Sequence, residues 1–196
     1  MGVHGFRRTA RSRIVLRTDD MERGLLRELV RQLVGLVTPD EDPFGADPDP
    51  LAAMVGIDPF AERPEDPALH RLFPDAYTDD EEAAGEFRRF TERSLRDTKL
   101  ANAQTVLDTL ERSGSKVVVS DGEAAAWLGT LNDLRLTLAS RIGLDEHNHE
   151  AFYDLPESDP AFALFHIYDW FTFLQETLVH ALTGLSSLPP DPDDDD

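Results

Sequence analysis

The chain has 196 residues with 39 acidic and 19 basic side chains, a formal net charge of −20. That length suits one domain, and the charge argues against broad attraction to nucleic acid or anionic lipid, which depends on clustered Lys and Arg. With no cysteine anywhere, disulfides, thiolate metal sites, iron–sulfur ligation and cysteine nucleophiles are all excluded.

Residues 1–18 contain five arginines and no acid. FRRT and RIVLRT, separated by A-R-S, predict a short hairpin with a basic face. Arg7, Arg8, Arg11 and Arg13 on it could reach phosphates, the chain's own acidic segments or an acidic partner. The arginine pair leads into a short IVL with no apolar signal-peptide core, and no run approaches the ~18 apolar residues of a membrane span. A cytoplasmic protein is therefore expected. Asp19 with Glu22 reads as a capping box, and Leu25, Leu29, Leu33 and Leu36 give the helix that follows one apolar stripe, to about Thr38-Pro39.

Residues 39–78 hold eight of the thirteen prolines and a large acidic excess. They predict a connector with short helical pieces, DPLAAMVGI and DPALHRLF, each capped by Asp with Pro at the first helical position. Thr78 with Glu81 predicts the start of another helix. Its stripe begins with Phe87 and Phe90, weakens around Arg96-Asp97-Thr98 and resumes at Val106, Leu107 and Leu110, so either a break near residue 97 or two helices are expected. KVVV, 116–119, predicts a strand added to the hairpin. Ser120 with Glu123 opens a helix to about Gly143, a polar loop runs to Asp159, and Pro160 opens a last helix to about Thr183. The tail SSLPPDPDDDD is expected to be disordered. The reading is a mainly α domain over 1–184, with about five helices, a small N-terminal antiparallel hairpin and one further short strand, followed by a tail at 185–196.

Helical angles sort the polar residues of WLGTLNDLRL, 127–136. Taking Trp127 as zero at ~100° per residue, Leu131, Leu134, Leu138 and Ile142 form the buried stripe. Asp133 falls on the opposite side with Gly129 and Ser140, Asn132 on the flank, and Arg135 inside the apolar face. On the last helix the stripe is Ile167, Phe171, Leu174, Leu178 and Leu182, and Gln175 occupies the place equivalent to Arg135. Glutamine cannot neutralise a guanidinium, so Glu176 or Asp169 is expected to do so, in a polar network of Asn132, Arg135, Gln175 and Glu176 that fixes helix register. A ligand or partner pocket centred on Arg135 is the competing reading.

Other candidates are weaker. His147 and His149 in DEHNHE would support a metal-dependent enzyme only if they converged with a third ligand, which no spacing specifies. His166 and Asp169 lie one turn apart, as a helix pair commonly does. No nucleophile elbow and no phosphate-binding loop occurs. No catalytic residue, metal or cofactor is assigned. Phe173 falls on the polar side of its helix with Asp169 and His180, where an exposed ring would mark a partner or homodimer surface.

FRRT, DPLAAMVGI, DPALHRLFPDAY, EFRRFTERSLRDTKLANAQTVLDTL, WLGTLNDLRLTLASRIG and YDWFTFLQETLVHAL occur in an order that resembles the actinobacterial domain-of-unknown-function 2017 family, over about residues 4–183. NDLRL and the YDW and LQE pieces carry it most specifically. The resemblance implies a regulatory interaction protein rather than an enzyme: genes of that family often lie beside the ClpS adaptor gene, and it includes a mycobacterial oxidative-stress regulator that acts with an alternative sigma factor. A sigma factor or a Clp component is the partner it implies. Sensing through a cysteine pair, described for that member, has no counterpart in a chain without cysteine. Two alternatives stand beside the adaptor reading: nucleic-acid binding through the arginine hairpin, and a metal-dependent enzyme using His147 and His149.

Overall fold

The computed structural model describes residues 5–9, 13–39, 62–112 and 116–184. Arg11, the DPLAAMVGI piece and the tail 185–196 lie outside the described residues. Strands β1 (Phe6–Arg8), β2 (Ile14–Arg17) and β3 (Lys116–Val119) form one antiparallel sheet in that order, with Phe6 opposite Leu16 and Ile14 opposite Val119. The helices are α1 (Asp20–Val37), α2 (Pro67–Leu72), α3 (Glu81–Arg112), α4 (Asp121–Ile142) and α5 (Pro160–Thr183), with a 3₁₀ turn at His149–Asp154. The expected class, helical with a small sheet, is the one observed.

Local chemistry sets the helix ends. In α1 the Asp19 carboxylate accepts from the Glu22 amide at 2.7 Å while Glu22 accepts from the Asp19 amide at 3.0 Å, the reciprocal capping box. Asp66 accepts from the Ala68 amide ahead of Pro67 in α2. The start of α3 differs from expectation, because Asp80 rather than Thr78 accepts from the Ala83 amide, at 3.0 Å.

α4 lies at the centre, against α1, α2, α3 and α5. Trp127 is fully buried and meets the edge of Phe6 on β1 at 5.3 Å. Leu131, Leu134 and Leu138 join Leu26, Val30, Phe171, Leu174 and Leu178 in one core, which holds sheet and helices together by burial of apolar surface.

α3 is unbroken through residue 97, contrary to the expected break. Its stripe weakens there because the buried face changes from apolar to paired charge. Arg88, 6% exposed, donates to Asp75, Glu92 and the Phe73 carbonyl. Arg96 donates to Glu92 and to the Val37 carbonyl, and its guanidinium covers the Phe73 ring at 4.4 Å. Phe87 and Phe90, read as the start of the stripe, are instead exposed at 46% and 60%.

Candidate functional site

Asp133 and Arg135 leave opposite sides of α4. Asp133 was expected on a solvent face, yet it is 3% exposed and takes the Lys99 ammonium of α3 at 2.6 Å. The cause is a second packed face. At Gly129 an added Cβ would stand 2.9 Å from the Asn102 side-chain nitrogen, so the missing side chain makes room for Asn102 of α3 where the two helices approach. That approach removes Asp133 from water. Burial raises its carboxyl pKa, and the Lys99 hydrogen bond only partly offsets the rise.

Arg135 is half-buried and faces α5. Its Nε donates to Thr172 Oγ1 at 2.9 Å, Nη1 to Gln175 Oε1 at 2.8 Å and Nη2 to the Tyr168 hydroxyl at 3.2 Å, with the guanidinium 5.2 Å from the Tyr168 ring centre. The contact with Gln175 is the one that the helical angles suggested. The expected carboxylate is absent. Glu176 is exposed and lines a hollow together with Arg135 without pairing with it, while Asp169 stands 3.5 Å from the Tyr153 hydroxyl. Among the described residues no carboxylate pairs with Arg135.

Three of five guanidinium N–H groups are thus committed to neutral acceptors, leaving one donor on each terminal nitrogen for a further acceptor. Arg135 forms the wall between two hollows along the α4–α5 groove. One, of about 690 Å³, is lined by Arg71, Asn132, Leu144, Glu146, His149 and Tyr168 among others; the second, of about 300 Å³, by Thr172, Gln175, Glu176, Val179 and His180. Asn132 is exposed at the rim of the larger one.

The far wall of the larger hollow is fixed in place. Arg71 of α2 donates to the Leu144 carbonyl at 2.9 Å, and Arg141 of α4 holds Asp66 at 2.7 Å. That bond lowers the Asp66 pKa. Asp145 and Asn148 tie the following loop by exchanged hydrogen bonds, and Asn148 reaches the Gly143 carbonyl at 2.8 Å.

The histidines of that loop do not converge. His147 is 85% exposed beside Glu146, whereas His149 stands edge-on to Tyr153, Phe165 and Tyr168, at 5.4, 5.7 and 6.2 Å. Among the described residues no three His, Asp or Glu side chains are grouped to hold a metal ion.

The basic hairpin and Phe173 also differ from expectation. Arg8 is used within the chain, donating to the Ala181 carbonyl and to Asp121, each at 2.8 Å. Arg7 also has an internal partner, and Arg13 is exposed. Phe173 is half-buried because β1 lies over it: an added Cβ at Gly5 would meet its ring at 3.0 Å, and the Phe6 amide donates to Thr177 of the same helix. The side of α5 read as polar is the seat of β1.

A family model described as "Domain of unknown function (DUF2017)" matches residues 3–182. A Mycobacterium leprae protein named putative oxidative stress regulator AosR is 37% identical over 175 residues, covering 82% of this chain and 78% of that protein. Proteins named oxidative stress regulator AosR from Mycobacterium bovis and Mycobacterium tuberculosis H37Rv are each 34% identical over 177 residues, covering 83% of this chain and 79% of theirs. No solved structure matches at a significant level. The chain belongs to the DUF2017 family.

Proposed function

We propose that this chain is a cytoplasmic regulator of a stress response, not an enzyme, that acts by binding another protein in the α4–α5 groove with Arg135 as its anchor. Relatives named oxidative stress regulators support the regulatory part of this reading. The observation that carries the rest is the Arg135 guanidinium: oriented by three neutral acceptors, without a carboxylate partner among the described residues, and open to hollows on both sides. A partner's Asp or Glu supplies the missing charge, while Asp145, Glu146 and Glu150 at the larger hollow favour a basic residue beside it. Partly desolvated arginines are frequent anchors of protein interfaces.

A chain without cysteine cannot sense oxidants by thiol chemistry. In this reading the signal arrives through the partner, and transcription or Clp components are where to look for it. Arg8, committed to Asp121 and Ala181, makes the hairpin the weaker candidate for an interface.

The test is affinity capture from the native host using wild-type chain and Arg135→Gln, with circular dichroism verifying that both are folded. Wild type should retain one protein at stoichiometric level, and the variant should lose it. Equal retention by the variant would remove the groove from the interface. No stoichiometric protein on either would sink the adaptor reading.

A further inference from the structure

We infer that the occupant of the α4–α5 groove is an amphipathic helix of the partner, with an acid at its middle and a base one or two turns away; this rests on the reading of Arg135 as the anchor of the groove. The two walls run antiparallel. Arg8 ties Asp121, at the start of α4, to the Ala181 carbonyl near the end of α5, while at the other end Ala139 and Leu144 pack with Phe165. Asn132, Leu136 and Ala139 on one wall, and Thr172, Gln175 and Val179 on the other, recur at steps of three and four, so each wall is a straight ridge. The hollows on either side of Arg135 lie along this trough.

The backbone of the walls decides the conformation of what enters. Helical N–H and C=O groups are bonded within their own turns, so an extended segment would find no ladder to join and would bury its own peptide groups unpaired. A helix brings its hydrogen bonds with it and packs its side chains as a ridge into the trough. Leu136 and Ala139 on one side of Arg135, and Val179, 42% exposed, on the other, give it apolar contacts at both ends.

Charge fixes the register. Arg135 keeps one donor on each terminal nitrogen for the acid, and Glu150, exposed at the larger hollow, takes the base. Tyr168 measures the interval between them: its ring centre lies 5.2 Å from the Arg135 guanidinium and 6.2 Å from the ring of His149, which precedes Glu150 in the chain. Guanidinium and His149 ring are therefore at most about 11 Å apart, the rise of two helical turns. Acid and base lie four or seven residues apart on one face.

Display selection on the full chain from random peptides of about 16 residues, ~24 Å long as a helix, tests this without presupposing a helix. Enriched peptides should carry Asp or Glu four or seven residues from Lys or Arg on one apolar face, and should gain helical circular dichroism on binding. Arg135→Gln should weaken them about tenfold and Glu150→Lys about threefold. Exchanging the peptide's base for Glu should recover the second loss and not the first. Peptides that depend on Arg135 but bind without helical signal, or without the acid and base pair, would overturn the helix and leave the groove as the interface. If every enriched peptide ignores Arg135→Gln, or none is enriched, the helix falls, and the groove reading is then decided by the capture experiment alone.

Discussion

The two sides of α4 treat charge in opposite ways. Toward α3, Asp133 meets Lys99 at 2.6 Å with both groups nearly excluded from water; toward α5, Arg135 is held by a threonine, a glutamine and a tyrosine and left without a carboxylate among the described residues. Neutralised and buried, the first is framework. The second keeps an oriented charge available at a groove, an arrangement that becomes complete only when something else arrives. Charge compensation separates the two more sharply than burial does.

The largest expected effect comes from breaking the closed side. Lys99→Met should cost about 3–5 kcal/mol in denaturant unfolding at neutral pH, because a carboxylate would remain buried and unpaired. Adding Asp133→Leu should recover most of that loss. The pH dependence is diagnostic. Burial already raises the Asp133 pKa, and losing Lys99 raises it further. A carboxyl whose folded pKa lies above its unfolded value favours folding most when protonated, so the Lys99→Met defect should shrink as pH falls through the raised value. A defect that stayed constant with pH would place the cost elsewhere, in lost packing of the lysine stem.

Arg135→Gln should cost less, about 1–3 kcal/mol, since three hydrogen bonds to neutral groups are lost and no carboxylate is stranded. Calorimetric unfolding of the folded variant measures it. A cost as large as that of Lys99→Met would mean that Arg135 is framework as well, and would erase the contrast between the two sides.

The existence of α1 was legible in the sequence from the Asp19–Glu22 cap and its spaced leucines, but its buried face is Leu26, Val30, Leu33 and Val37, turned about one residue from the expected Leu25, Leu29, Leu33 and Leu36. The charged face of α3 was not, because Arg88, Glu92 and Arg96 look like solvent residues until Asp75 and the Val37 carbonyl are brought to them from far away in the chain. Asp133 misled for a related reason: one helix can have two buried faces, and angles measured from the first assign the second to solvent. Gly129, in mid-helix on the same side as Asp133, was the available sign of close helix packing. Phe173 followed the same pattern, its apparent polar face covered by β1 at Gly5. The Arg135–Gln175 contact was accessible from angles alone. Its lack of a carboxylate was not, since Glu176, one residue from Gln175, lines the same hollow as Arg135 and yet does not pair with it.

The smallest expected effect lies at the start of α4 and reverses the sign of the pH test. The Glu123 carboxylate accepts from the Ser120 hydroxyl at 2.7 Å and from its amide at 2.9 Å, and it also meets Arg112. These donors, the hydroxyl first, lower its pKa from 4.5 to about 2. A depressed carboxyl contributes stability that is present above its unfolded pKa and lost as pH falls through the folded value. Glu123→Gln should therefore cost about 0.5–2 kcal/mol at neutral pH, the range for losing a helix cap, and the gap from wild type should close between pH 4.5 and about 2. Lys99→Met should also approach wild type in acid, but by a different route: Asp133 takes up a proton and the variant's own stability rises. In the Glu123 case wild type falls toward the variant. Unfolding curves for all three chains across acid pH separate the two, and a Glu123→Gln gap that persisted at the lowest pH would show the cap to be steric rather than ionic.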